Sequence, residues 1–161
     1  MNQHEIPWPK KGAKLFKEAA DLLIDYAISS GEIRILDTYV FPICFLYRQY
    51  LELEMKKILP KYSELNKGEK INSLKGFGHN LMSVWNQVRF IISKAITYKD
   101  DIEMLNIVED YIRQFHQFDK KSLKFRYLID KELNILLKKT MKIDLKNLRE
   151  RMEEIYIYFK G

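Results

Sequence analysis

The chain has 161 residues, of which 47% are hydrophobic and 31% charged, and its formal net charge is +6. These values are typical of one globular domain and exclude a disordered chain. Cys44 is the only cysteine, which excludes an intrachain disulfide, and the three histidines show no metal-ligand spacing. We therefore expect neither a metal nor a cofactor.

The first ten residues contain two prolines and lack the apolar run of a signal peptide. No later stretch reaches the roughly 18 apolar residues of a membrane span. We interpret residues 1–10 as an N-terminal extension of a single helical domain that covers 1–161. These features predict a cytoplasmic protein that does not contact a membrane.

Helical periodicity predicts a first helix over about residues 11–29, ended by Ser30 and Gly31. Its apolar residues Leu15, Ala19, Leu22, Leu23 and Tyr26 fall at helical spacing. A second helix is predicted over about 39–59. It is apolar almost all round at its start, which is typical of the central helix of a bundle. Pro42 is tolerated if it lies in the first turn, and Pro60 closes the helix.

Residues 60–78 are rich in Lys, Ser, Asn and Gly and predict a long connection. A third helix begins at His79 or Asn80 and breaks at 98–100. A fourth covers about 101–115, with Leu105, Val108, Ile112 and Phe115 on one stripe. Residues 117–142 form a second long connection, in which two apolar runs could pair as a short β-hairpin or form an irregular arm. The last helix begins after Asp144 as its N-cap. The predicted fold is all-α, a bundle of four to five helices.

Three polar groups are candidates for a site. Arg48 and Glu52 are four residues apart on one helix face, so they form either a structural ion pair or the lining of a pocket. His79 and Asn80 follow a glycine at a helix start, where they either cap the helix or, for His79, move a proton. Arg126, between Phe125 and Tyr127, either stacks and binds phosphate or belongs to a loop anchored on the core.

The order of these groups resembles that of the HEPN-like helical-bundle proteins of bacteria and archaea. The resemblance covers about residues 35–160 and rests on the helix 45–56, the run 78–81 followed by Trp85, and the run 125–127. It implies a bundle of four or five helices that often dimerises. Members of that family include ribonucleases of toxin–antitoxin and antiphage systems, and others are partner or substrate-binding modules beside nucleotidyltransferases.

The nuclease members carry an arginine followed about four to six residues later by a histidine, and this chain departs from that pattern. Arg113 and His116 are three apart, and no other arginine is followed by a histidine at that spacing. The first hypothesis is therefore a binding module for RNA, a nucleotide or a protein partner encoded nearby, in a defence or toxin–antitoxin type of system. Its predicted binding residues are Arg48, Glu52, His79, Asn80, Arg126 and Tyr127.

Two alternatives stay open at this point. In a metal-independent ribonuclease with a rearranged site, Arg48 and Arg126 would hold the scissile phosphate and His79 would move the proton. In a purely structural homodimer, the charged residues would only fix the packing of the helices. The resemblance favours a homodimer in either case.

Overall fold

The computed structural model describes residues 12–62, 80–96, 99–118 and 144–160, and this part of the chain is five α-helices without a strand. The helices are α1 Gly12–Ser30, α2 Ile33–Tyr62, α3 Leu81–Ala95, α4 Lys99–Phe118 and α5 Leu145–Lys160. The predicted all-α bundle is confirmed. The predicted hairpin or arm of the second connection lies outside the described residues, as does the first connection beyond Tyr62.

A two-residue turn joins α1 to α2. Gly31 adopts a positive φ of 63°, which residues with a Cβ rarely adopt, and its N–H donates to the Ile28 carbonyl. The Ser30 hydroxyl donates to the Ala27 carbonyl and accepts from the N–H of Glu32, so it binds the backbone on both sides of the turn. The turn is tight enough to fold α2 back against α1 as an antiparallel pair.

The central helix is longer than its pattern predicts. It begins at Ile33, six residues before the expected start, so Pro42 lies in its interior and not in its first turn. Residues Ile35 and Leu36 pack against the core, and this tertiary packing maintains the helix through a position where proline removes a backbone hydrogen bond. Pro60 does not close the helix either, because helical structure continues to Tyr62.

The apolar residues whose spacing predicts α1 do not form its buried face, apart from Leu23, which packs against the core. Leu15, Leu22 and Tyr26 are exposed, with 46%, 74% and 53% of their surface accessible to solvent. The residues that α1 buries instead are Ala13, Lys17, Ala20, Ile24 and Ala27. Three alanines allow α1 to approach its neighbours closely, and Lys17 finds carboxylates there, so close packing and ion pairing decided the orientation over side-chain hydrophobicity.

The remaining helices bury apolar residues at helical spacing. In α4 the buried residues include Leu105, Val108, Ile112 and Phe115, and in α5 they are Leu145, Met152 and Ile155. Helix α3 buries Leu81, Val84, Trp85 and Val88, although Ala95 at its end is exposed. Asp144 caps α5 as predicted, because its carboxylate accepts from the N–H of Asn147 at 3.0 Å.

The ends of α3 and α4 differ from the prediction by a few residues. Helix α3 ends at Ala95, and Lys99 and Asp100 belong to the first turn of α4. Helix α4 continues to Phe118, so residues 117 and 118, which were expected in the second connection, are helical. None of the five described helices combines the length and apolar character that crossing a bilayer requires.

Candidate functional site

Arg48 and Glu52 form an ion pair inside the bundle. The Arg48 Nη1 lies 3.8 Å from the Glu52 Oε1, one turn further along α2, and Lys56 places its Nζ 3.8 Å from the same oxygen. Arg48 is 0% exposed and Glu52 is 2% exposed. Charges this deeply buried are stable only when they are neutralised by partners. The pair therefore lies in the interior of the bundle, where a polymer outside it does not reach it in this conformation.

Asn80 is exposed and caps α3. Capping is one of the two roles predicted for this residue, and ligand binding is the other. Its backbone is extended, and its Oδ1 accepts from the N–H of Ser83 at 3.0 Å, which satisfies one of the free amides at the start of α3. His79, Arg126 and Tyr127 lie outside the described residues. The structure therefore does not show whether these three residues lie near Arg48 and Glu52, and their roles stay predictions.

Asn80→Ala is expected to lower the free energy of unfolding by about 1 kcal/mol, because it removes the hydrogen bond to the first turn of α3. Asn80→Ser, which keeps an acceptor at the same position, is the matched control and should lower the free energy of unfolding by only about a few tenths of a kcal/mol. Urea denaturation measures both. Equal stability of the alanine and serine variants would contradict the capping role.

A second polar cluster, between α1 and α5, was not predicted. Lys17 is 5% exposed, and its Nζ donates to Asp21 at 2.8 Å and also to Glu153 of α5. The same Nζ lies 4.6 Å from the centre of the Tyr156 ring. The hydrogen bond from Lys17 is the main cause that lowers the pKa of Glu153. Lys17 therefore joins α1 to α5 through a buried charge that carboxylates neutralise.

Arg149 extends this cluster on the solvent side. Its guanidinium lies 3.0 Å from Glu153, 3.4 Å from Asp21 and 3.2 Å from Asp25. The Tyr47 hydroxyl of α2 donates to Asp21 at 2.7 Å, so three helices meet at one carboxylate. The spacing of Lys17 to Asp21 and of Arg149 to Glu153 is i to i+4, and this signal could have been found in the sequence.

Burial raises the pKa of a thiol and two phenols on α2. It raises the pKa of Cys44 to about 12, so the thiol stays protonated and unreactive, as the apolar surroundings of this residue predict. Burial also raises the pKa of Tyr47 and Tyr50, and for Tyr47 the hydrogen bond to Asp21 adds to this effect. The Tyr50 hydroxyl is fully buried and forms no hydrogen bond within the described part of the chain.

A third cluster joins α3 to α4 near the surface. The Trp85 Nε1 donates to Glu109 at 3.1 Å, Arg89 donates to the same oxygen, and Arg113 donates to the other oxygen at 2.7 Å. Partial burial alone would raise the pKa of Glu109, but the Trp85 hydrogen bond and the Arg89 charge outweigh it and lower that pKa. Each arginine is engaged by a carboxylate, so the cluster stabilises the α3–α4 pair.

No family model, no curated protein and no solved structure matches the chain. The resemblance to HEPN-like proteins therefore stays a prediction.

Among the described residues, no group of three or more His, Cys, Asp or Glu side chains is arranged to hold a metal ion.

The net positive charge of the protein comes from residues outside the described helices. The described residues contain 15 Lys and Arg against 16 Asp and Glu, whereas the whole chain contains 28 against 22. The helical part is thus close to neutral. Residues 119–143 alone contain eight Lys and Arg against three Asp and Glu. The electrostatic attraction that a phosphate polymer would experience is therefore concentrated in this stretch of sequence.

Proposed function

We propose that the protein is a helical binding module that engages RNA through the basic stretch 119–143, with the neutral bundle as its scaffold. The observation that carries this proposal is the separation of charge between the two parts of the chain. Phosphate contacts supply most of the affinity for nucleic acids, and they come from Lys and Arg. Arg126, between Phe125 and Tyr127, adds a side chain and two rings of the kinds that stack on unpaired bases.

Binding is proposed and cleavage is not, because of Arg48. The ribonuclease hypothesis requires this guanidinium to hold a phosphate, but it is fully buried and lies beside Glu52. The clusters around Glu109 and Asp21 likewise engage their arginines with carboxylates. These contacts favour a structural role for the charged residues of the helices. The homodimer and the protein partner encoded nearby stay predictions from the resemblance.

Neutralising four charges of the basic stretch is expected to weaken RNA binding strongly. The variant is Lys120→Gln, Lys121→Gln, Lys124→Gln and Arg126→Gln, measured by fluorescence anisotropy with a labelled single-stranded RNA over a series of salt concentrations. If all four side chains contact phosphates, the slope of log K against log salt falls by about 3, since each contact with single-stranded nucleic acid contributes about 0.7. Free nucleotides as competitors distinguish a polymer site from a nucleotide site.

The matched control removes the same number of charges from the helices. It changes four exposed lysines, one on each of α2, α3, α4 and α5, to Gln: Lys57, Lys94, Lys99 and Lys146. This control should keep most of the affinity and most of the salt slope. Equal losses for the two variants would show that only net charge matters and would contradict the proposal. Cleavage of the RNA by the wild-type protein, lost in His79→Ala, would instead establish the ribonuclease alternative.

A further inference from the structure

The exposed side of α1 has the pattern of a helix-pairing surface. Its residues Leu15, Ala19, Leu22 and Tyr26, here called the α1 seam, are spaced four, three and four apart. This is the alternation of the a and d positions in a coiled coil, where such residues face a partner helix. Leu22 is 74% exposed, although leucine at these positions is normally covered. Ala19 is half-buried, and the Tyr26 ring lies 5.9 Å from that of Tyr39 in α2. Helix α1 therefore presents two faces, one buried in the bundle and one that is apolar and exposed mainly at Leu15, Leu22 and Tyr26.

The two flanks of the α1 seam differ in charge. Glu18 and Asp25 each precede a seam residue by one position and are exposed, so they form an acidic flank. Phe16 and Leu23 on the other flank are half-buried and pack against the core. Lys14 and Arg149 lie 3.5 and 3.2 Å from the two carboxylates, but surface ion pairs of this kind are weak and exchange readily.

These flanks determine which occupant fits. In an antiparallel pair of two α1 helices, Glu18 of each copy would lie across from Asp25 of the other, and like charges at such positions repel. In a parallel pair, Glu18 would face Leu23 and Asp25 would face Ser30 of the other copy, so both carboxylates would lose water without gaining a cation. A helix with apolar a and d positions and Lys or Arg beside them satisfies both the seam and the acidic flank.

We propose that the α1 seam docks a basic amphipathic helix of a partner protein. The inference is independent of RNA binding, because none of the residues that carry it belongs to the basic stretch 119–143. The seam is a surface that pairs with a second helix. Its apolar side chains provide the contact, and Glu18 and Asp25 select the partner by charge.

Two designed peptides test this proposal on the full-length chain. Both have three heptads with Leu at a and d, and they differ only in carrying Lys or Glu at e and g. Isothermal titration calorimetry should show that the Lys peptide binds at least tenfold more tightly than the Glu peptide. Leu22→Gln should abolish most of this binding, and Glu18→Gln with Asp25→Gln should remove the preference for Lys. Because these side chains are exposed, the variants should keep the helical circular dichroism of the wild type.

The matched control is Ile157→Gln on α5, where an isoleucine is 62% exposed but lies outside the seam. It should bind the Lys peptide as the wild type does. Equal affinity for the two peptides, no binding of the Lys peptide, or unchanged binding by Leu22→Gln would overturn the proposal. In sedimentation experiments on the chain alone, we do not expect a dimer that dissociates when Leu22 is changed to Gln. Such a dimer would assign the seam to a second copy and overturn the partner assignment.

Discussion

Arg48→Met is expected to lower the free energy of unfolding by about 3–5 kcal/mol, the usual cost of breaking a buried ion pair from one side. The cost arises because Glu52, 2% exposed, loses the buried cation that lies 3.8 Å away and keeps only the more exposed Lys56 at the same distance. Urea denaturation followed by circular dichroism measures the change. A loss of this size would make Arg48 a structural residue, as its burial indicates.

The double variant Arg48→Met with Glu52→Met tests the cause of that loss. It removes both charges together, so it should recover most of the stability that the single change costs. The control is an ion pair whose arginine is exposed. Arg113 lies 2.7 Å from Glu109, and the Arg113 side chain is 48% exposed. Arg113→Met should cost less than about 1 kcal/mol despite the shorter distance. If Arg48→Met and Arg113→Met lower the free energy of unfolding by the same amount, burial is not the deciding factor.

The helices of this protein could be predicted from its sequence because their apolar spacing is regular. The stripe of α4 and the cap Asp144 of α5 needed only local patterns, and both predictions are confirmed. The start of α2 could not be predicted in the same way. Pro42 is a strong local signal, and only the packing of residues before it against the core shows that the helix continues through it.

The buried face of α1 could not be predicted from the sequence, for a different physical reason. Two of its faces are compatible with burial, and the more apolar one, which includes Leu22, is the one that stays exposed. The buried face is the one with small residues and Lys17, whose partner Glu153 is 136 residues away in sequence. The spacing of Lys17 to Asp21 and of Arg149 to Glu153 could be read locally, but the contact of Lys17 with Glu153 could not, because helical periodicity carries no information on long-range ion pairs.

The protein is expected to unfold between about pH 10 and pH 12, because three buried acids stay protonated only while it is folded. An unfolded chain ionises Cys44 near 9 and its tyrosines near 10, whereas burial raises the pKa of Cys44 to about 12 and also raises that of Tyr47 and Tyr50. Above these unfolded values the folded state binds more protons than the unfolded state. Stability is therefore fully present below about pH 9 and falls as pH rises.

The expected size of this effect follows from proton linkage. Each group contributes about 1.4 kcal/mol per pH unit, so three groups over two units remove about 8 kcal/mol, which is comparable to the total stability of an ordinary domain. Circular dichroism against pH measures the loss of helix, and tyrosinate absorbance measures ionisation.

Tyr50→Phe is the sharpest variant for this prediction, because the Tyr50 hydroxyl is buried and forms no hydrogen bond among the described residues. Removing it costs little at neutral pH, takes away one of the three acids, and should move the alkaline midpoint upward. Tyr26→Phe, at a ring that is 53% exposed, is the matched control and should leave the midpoint unchanged. If all ten tyrosines ionise near pH 10 while the helical signal persists, the buried phenols do not control alkaline stability.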